Sequence, residues 1–214
     1  MRLSQKAQRI YSQINRDTTK LGDLRKIAKE IKKDHGLAQE LWSTGYFFPR
    51  QLAILIMDRK LITKEFIDQI DQDLQRHDFA ERNQLTDWFM ANQLLKDKKT
   101  IAFVESWEDS PSSMKRRVFW YYQARLRWMG NTDHSNTEEL LLSIEANMAD
   151  EQPEVQWAMN YTAGQIGKWQ ENHRARCIAI GEETGLYKDE VVPKNCTPNY
   201  LPEFIRIEAS KVTT

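Results

Sequence analysis

Apolar residues recur along the chain at the i, i+3, i+4, i+7 spacing of a single helical face, and three such stripes stand in one register. With Thr63, Thr100 and Thr137 aligned as candidate helix N-caps, Phe66, Phe103 and Leu140 follow at three positions. Ile67, Val104 and Leu141 follow at four, and Ile70, Trp107 and Ile144 at seven. The register defines repeats at 63–99, 100–136 and 137–173. Each stripe is followed by a polar turn (77–81, 108–111, 150–153) and then by a longer amphipathic segment, predicting second helices over roughly 80–95, 113–128 and 153–169.

Upstream, Gly22-Asp23 opens a helical pattern through Leu24, Ile27, Ala28 and Ile31 that stops near Gly36, and Phe48–Lys60 predicts another helix with Pro49 in its first turn. Residues 186–202 break the periodicity with three prolines before a short helix around 202–212, so 186–214 reads as a cap on the last repeat. Helix, turn, helix at a fixed period predicts an all-α fold, an α-solenoid of HEAT-like helix-pair repeats forming a single domain over 1–214.

Composition agrees: eight Gly and six Pro in 214 residues are too few for a turn-rich β-fold. Cys177 and Cys196 lack any partner at metal-ligand spacing, and no aliphatic run approaches the ~20 residues that span a bilayer. A cytoplasmic monomer without metal, cofactor or membrane contact is expected. The 31 basic and 31 acidic residues cancel, but unevenly. Residues 1–60 hold thirteen basic and six acidic side chains, and 131–160 hold seven acidic and none basic. A neutral total conceals a polarised molecule.

Nucleotide-binding, hydrolase and metalloprotease signatures are absent. His77 and His134 fall in predicted turns and are expected to be solvated. Gly164-Gln165-Ile166-Gly167 has the outline of a phosphate-clamping loop, but inside a helical pattern its glycines point to close helix packing. Lys115-Arg116-Arg117 opens a helix on which Arg117, Tyr121 and Arg125 share a face at i, i+4, i+8. That strip is either phosphate-facing or a solvated basic face opposite the acidic segment.

The stretches Arg82–Trp88, Lys115–Gln123, Gln156–Tyr161 and the tail Lys194–Phe204 resemble the AlkD-type DNA alkylation repair family over roughly 45–206, the tail being the most specific part. The resemblance implies HEAT-like repeats gripping duplex DNA, and active members that are glycosylases removing cationic N3- and N7-alkylated purines. Carried over by position, it puts the catalytic aspartate on Asp87 and a DNA-contacting arginine on Arg117. Two tryptophans that flank the lesion in active members are Asn83 and Tyr161 here. Trp88 is the alternative aromatic if the first stretch is displaced by a turn.

An N-alkylated purine is already a cationic leaving group, so its excision needs mainly a carboxylate such as Asp87 beside the oxocarbenium-like sugar, supported by aromatic faces. Asn83 has no such face and Tyr161 a smaller one. The implied function is therefore duplex-DNA binding with weak or lost excision, through Asn83, Lys115, Arg116, Arg117, Tyr121, Arg125 and Tyr161. The alternative is a non-catalytic protein-interaction module. A continuous basic groove through 115–127 would favour DNA, and an apolar groove rimmed by acids would favour protein.

Overall fold

The computed structural model describes residues 3–14, 18–128 and 134–212, and every regular element among them is helical. The α-helices among the described residues are α1 (Gln5–Ile14), α2 (Leu21–Ile31), α3 (His35–Ser43), α4 (Phe47–Ile56), α5 (Lys64–Leu74), α6 (Phe79–Asn92), α7 (Lys98–Glu105), α8 (Ser113–Trp128), α9 (Thr137–Asn147), α10 (Pro153–Trp169), α11 (Glu171–Thr184) and α12 (Leu201–Ser210). They fall into two compact units divided between Ser106 and Trp107.

Only one of the three threonines in the thirty-seven-residue register caps a helix. The Thr63 hydroxyl accepts from the Phe66 N–H at the start of α5. At the next position the cap is Asp97, whose carboxylate accepts from the Lys99 N–H, and Thr100 lies buried inside α7 with its hydroxyl donating to the Leu94 carbonyl. Thr137 is the first residue of α9, buried, and its hydroxyl donates to the His134 carbonyl. The apolar stripe is more regular than the caps. Ile67, Val104 and Leu141 are fully buried, as are Ile70 and Ile144 to within 1%, and Trp107 is 5% exposed. Phe66 and Phe103 are half-buried.

In the first unit α4 packs against α2, α3 and α6, burying Leu52, Ile54 and Ile56 against residues such as Leu37, Leu41, Leu85 and Phe89. Arg50 is buried there: its guanidinium lies 4.6 Å from the centre of the Trp42 ring and donates to the Asp73 carbonyl, while the Trp42 indole N–H donates to the Asp73 carboxylate. His77 is likewise buried, its Nδ1 2.6 Å from Glu81 Oε2, so the expected solvated turn histidine is instead part of the α5–α6 corner. Glu81, one turn into α6, provides a polar partner that lets the imidazole leave water.

In the second unit α8 runs along α10, and α11 and α12 pack on α10 and on each other. Gly164, Gly167 and Gly181 make that last contact possible. A Cβ at Gly167 would lie 2.6 Å from Ile205 Cδ1, and one at Gly164 would lie 2.8 Å from a Phe204 ring carbon. The two glycines of 164–167 therefore serve helix packing within α10, where no loop exists to cradle a phosphate. Glu208 on α12 ties the unit together. Burial pushes its carboxyl up, but hydrogen bonds from Lys211, Lys168 and Thr197 outweigh that and hold it at about 2.

Candidate nucleic-acid interface

On α6 the inner face is Leu85, Thr86, Phe89 and Met90, all buried, which leaves Asn83 and Asp87 together on the half-buried side at i, i+4. Asp78 caps this helix by accepting from the Glu81 N–H. Trp88 stands about 100° round from Asp87. Its indole N–H donates to the Gln51 carbonyl at 3.1 Å, and the Arg25 guanidinium of α2 lies 5.2 Å from its ring centre. The aromatic nearest Asp87 in sequence is thus anchored to α4 and covered by a cation.

In the second unit, α8, α10 and α12 bring five rings together. Trp157 and Tyr161, one turn apart on α10, stack at 5.3 Å with their planes 10° apart. Tyr121 of α8 meets both edge-on at 5.5 and 5.8 Å. Trp128 and Phe204 approach Tyr161 edge-on at 6.4 and 6.1 Å. Edge-to-face pairs at such distances suit the ring quadrupoles. Two guanidiniums flank the cluster, Arg117 at 4.8 Å from the Trp157 ring and Arg125 at 5.6 Å from that of Trp128. Burial, then the neighbouring Tyr121 and Glu208, raise the Tyr161 phenol above its ordinary value despite Arg125, so it stays protonated and able to donate. Trp128 is 44% exposed and offers the cluster's open edge.

The expected basic groove through 115–127 is interrupted. Arg117 is 6% exposed and donates to the Glu154 carbonyl at 2.8 Å, so it underlies the aromatic cluster and is not a solvated partner of Arg125. Arg116 makes a two-pronged pair with Glu151 at 2.8 and 2.9 Å. That pairing is the acidic-segment alternative realised for this one residue. Arg127 is fully buried, bonded to the Gln123 carbonyl, Asn136 and Thr137, and burial lowers its pKa to about 10, leaving it charged at neutral pH. Lys115 lies over Trp107 at 5.7 Å. Of the five cations only Lys115 and Arg125 are half-exposed without a place in the buried network described here. The physical reason is length: a guanidinium on a five-atom stem reaches an adjacent helix and satisfies its donors there.

Of the residues singled out from the sequence, the structure brings Arg117, Tyr121, Arg125 and Tyr161 to one cluster and Asn83 and Asp87 to one helix face. Lys115 and Arg116 stand at the start of α8. Sequence reasoning missed Trp157 and Trp128 as members of the cluster, although Trp157 stands one turn before Tyr161 and Trp128 seven positions after Tyr121. Phe204 had no local signal, since it arrives from α12 across two glycines. Among the described residues no group of three or more His, Cys, Asp or Glu is placed to hold a metal, and no helix is long and apolar enough to cross a membrane.

Comparison with known families matches residues 17–211 to the model of a family described as DNA alkylation repair enzyme. No curated protein matches the sequence. Among solved structures, the fold is similar to one described as representing a new family of proteins related to the HEAT-like repeat DNA glycosylases with affinity for branched DNA structures. The TM-score is 0.68 at 19% identity, covering 98% of this chain and 89% of that one. The all-helical architecture is thus of the HEAT-like repeat type.

Proposed function

The chain belongs to the DNA alkylation repair enzyme family, and from that premise we propose that it binds duplex DNA while its excision of N3- and N7-alkylpurines is weak or lost. The observation that carries the reading is the cluster of Tyr121, Trp128, Trp157 and Tyr161 between Arg117 and Arg125. Rings stack on bases or sugars, and the half-exposed Arg125 meets phosphate. Arg117 acts through Trp157 as a positioning residue. A second reading, affinity for branched DNA, is favoured by the exposed edge of Trp128, because unpaired bases at a branch stack on an open indole at a gain of ~1–3 kcal/mol each. The structurally similar protein is described in those terms.

For the chemistry, Asp87 supplies the carboxylate that a developing sugar cation needs, and Asn83 on the same face supplies no ring. Loss of one cation–π contact of ~1–2 kcal/mol corresponds to roughly a decade of rate. The test is single-turnover release of N7-methylguanine and N3-methyladenine from methylated duplex. Excision is expected to be at least about tenfold below that of family members with both tryptophans, to rise in Asn83→Trp/Tyr161→Trp, and to vanish in Asp87→Asn. Undiminished excision by the unaltered protein would refute the loss.

A further inference from the structure

We infer that α2 is a phosphate-contacting rail for one DNA strand, with Arg25, Lys29 and Lys32 as its donors. The inference rests on the DNA-binding reading above and deepens it by locating contacts in the first unit. At 100° per residue these three side chains fall within about 60° of arc, with Lys33 at its edge. The apolar arc of Leu24, Ile27, Ala28 and Ile31 turns toward α4, and Asp23 and Glu30 lie on the far flank. The helix therefore separates its charges by sign.

All three cations are exposed, and none is paired with a carboxylate among the described residues. Their neighbours differ. Lys33 is paired with Asp58 at 3.7 Å and Lys6 with Asp34 at 2.7 Å. Three unpaired cations on one stripe repel one another unless an anion lies along them. From Arg25 to Lys32 the axis rises ~10 Å, which spans about three phosphates of one strand at ~3.4 Å each.

Two further observations orient the rail. Arg25 stands at the Trp88 ring, so the stripe begins beside the α6 face that carries Asp87. Lys32 closes the helix with φ 67°, its N–H donating to the Ala28 carbonyl, a left-handed-side conformation where glycine is ordinarily favoured. A lysine held there keeps the third cation on the stripe at the cost of backbone strain. An anionic membrane is a poorer partner than a phosphate strand, because the apolar face such a helix would insert is already turned toward α4 and Leu24 is fully buried.

The test uses the full chain, a random-sequence duplex and a salt series read by fluorescence anisotropy. Arg25→Gln/Lys29→Gln/Lys32→Gln is expected to weaken binding at low salt at least about tenfold and to reduce the slope of log K against log salt by ~2.7, about 0.9 per phosphate released. Lys26→Gln, which lines the same small cavity as Asp23 and Glu30, is expected to change the slope little. Unchanged thermal unfolding of the triple variant confirms that surface charge alone was altered. If the triple variant keeps the parent's slope while Arg125→Gln/Trp128→Ala loses affinity, the rail is overturned and the DNA reading stands. If the parent binds no duplex, both fall. If the triple variant loses binding to phosphatidylserine vesicles but not to duplex, the partner of α2 is a membrane surface and the inference is overturned.

Discussion

Gly181→Val is expected to strip α12 from the second unit and to destabilise it by ~3 kcal/mol or more, beyond the usual cost of an overpacked core. A Cβ at this position would lie 2.6 Å from both Leu201 Cβ and Pro202 Cδ. Neither atom belongs to a flexible side-chain end: both sit at the start of α12, where Pro202 fixes the backbone. The helix must therefore move as a body, taking Phe204 and Ile205 away from Gly164 and Gly167. For a chain of this size the loss corresponds to a fall of roughly 6–12 °C in Tm. Gly22→Ala is the contrasting substitution. Nothing lies within 4 Å of a Cβ there, and in a helix interior alanine gains up to ~1 kcal/mol over glycine. Thermal unfolding of the two variants, with protease cleavage in 186–200 as the local readout, checks the account. A Gly181→Val protein as stable as its parent would contradict it.

Trp107→Ala is expected to cost ~3–5 kcal/mol, the range for large buried aromatics, because Trp107 is 5% exposed at the seventh position of the apolar stripe. Phe103, at the third position, is half-buried beneath Lys99, which lies 6.0 Å from its ring. Its truncation is expected to cost less than half as much, because its exposed part was already in water. Denaturant unfolding of the two variants ranks them, and equal costs would show that the stripe faces the interior differently from the way its burial indicates.

The contrast between these positions shows what was legible in the sequence. The period survives at the fourth and seventh positions of each repeat because those residues face the packed layer, and hydrophobic spacing reports that directly. It fails at the caps. A threonine at a helix start and a buried threonine bonded back to its own turn carry the same letter, and the real caps, Asp97 and Asn136, lie outside the register. Likewise the expected helix ending near Gly36 is two: α2 stops at Ile31, and Asp34 caps α3 by accepting from the Leu37 N–H, with Gly36 inside the first turn. Helices α1 and α11 carry mixed polar sequences, and the 186–202 break concealed how much of α12 is clamped by glycines of other helices.

Charge was the least legible property. Lys115-Arg116-Arg117 reads as a solvated basic cluster, yet Glu151 pairs with Arg116 and the Glu154 carbonyl takes Arg117. Those partners lie more than thirty positions away, beyond any local pattern. By contrast the excess of cations in the first sixty residues was visible, and α2 presents part of it at the surface. The aromatic cluster was half visible: Tyr121 and Tyr161 were singled out, while Trp157, Trp128 and Phe204 join them only through packing of α8, α10 and α12.

The central claim, that the aromatic and arginine cluster of the second unit contacts DNA, is tested most directly by titrating the parent and Arg125→Gln/Trp128→Ala with undamaged and four-way-branched duplexes across a salt series. The account predicts binding of both DNAs that weakens steeply with salt, a variant slope shallower by ~0.9 for the lost phosphate contact, and a further loss on branched DNA from the missing indole. Equal affinity of parent and variant for both DNAs at low salt would contradict it.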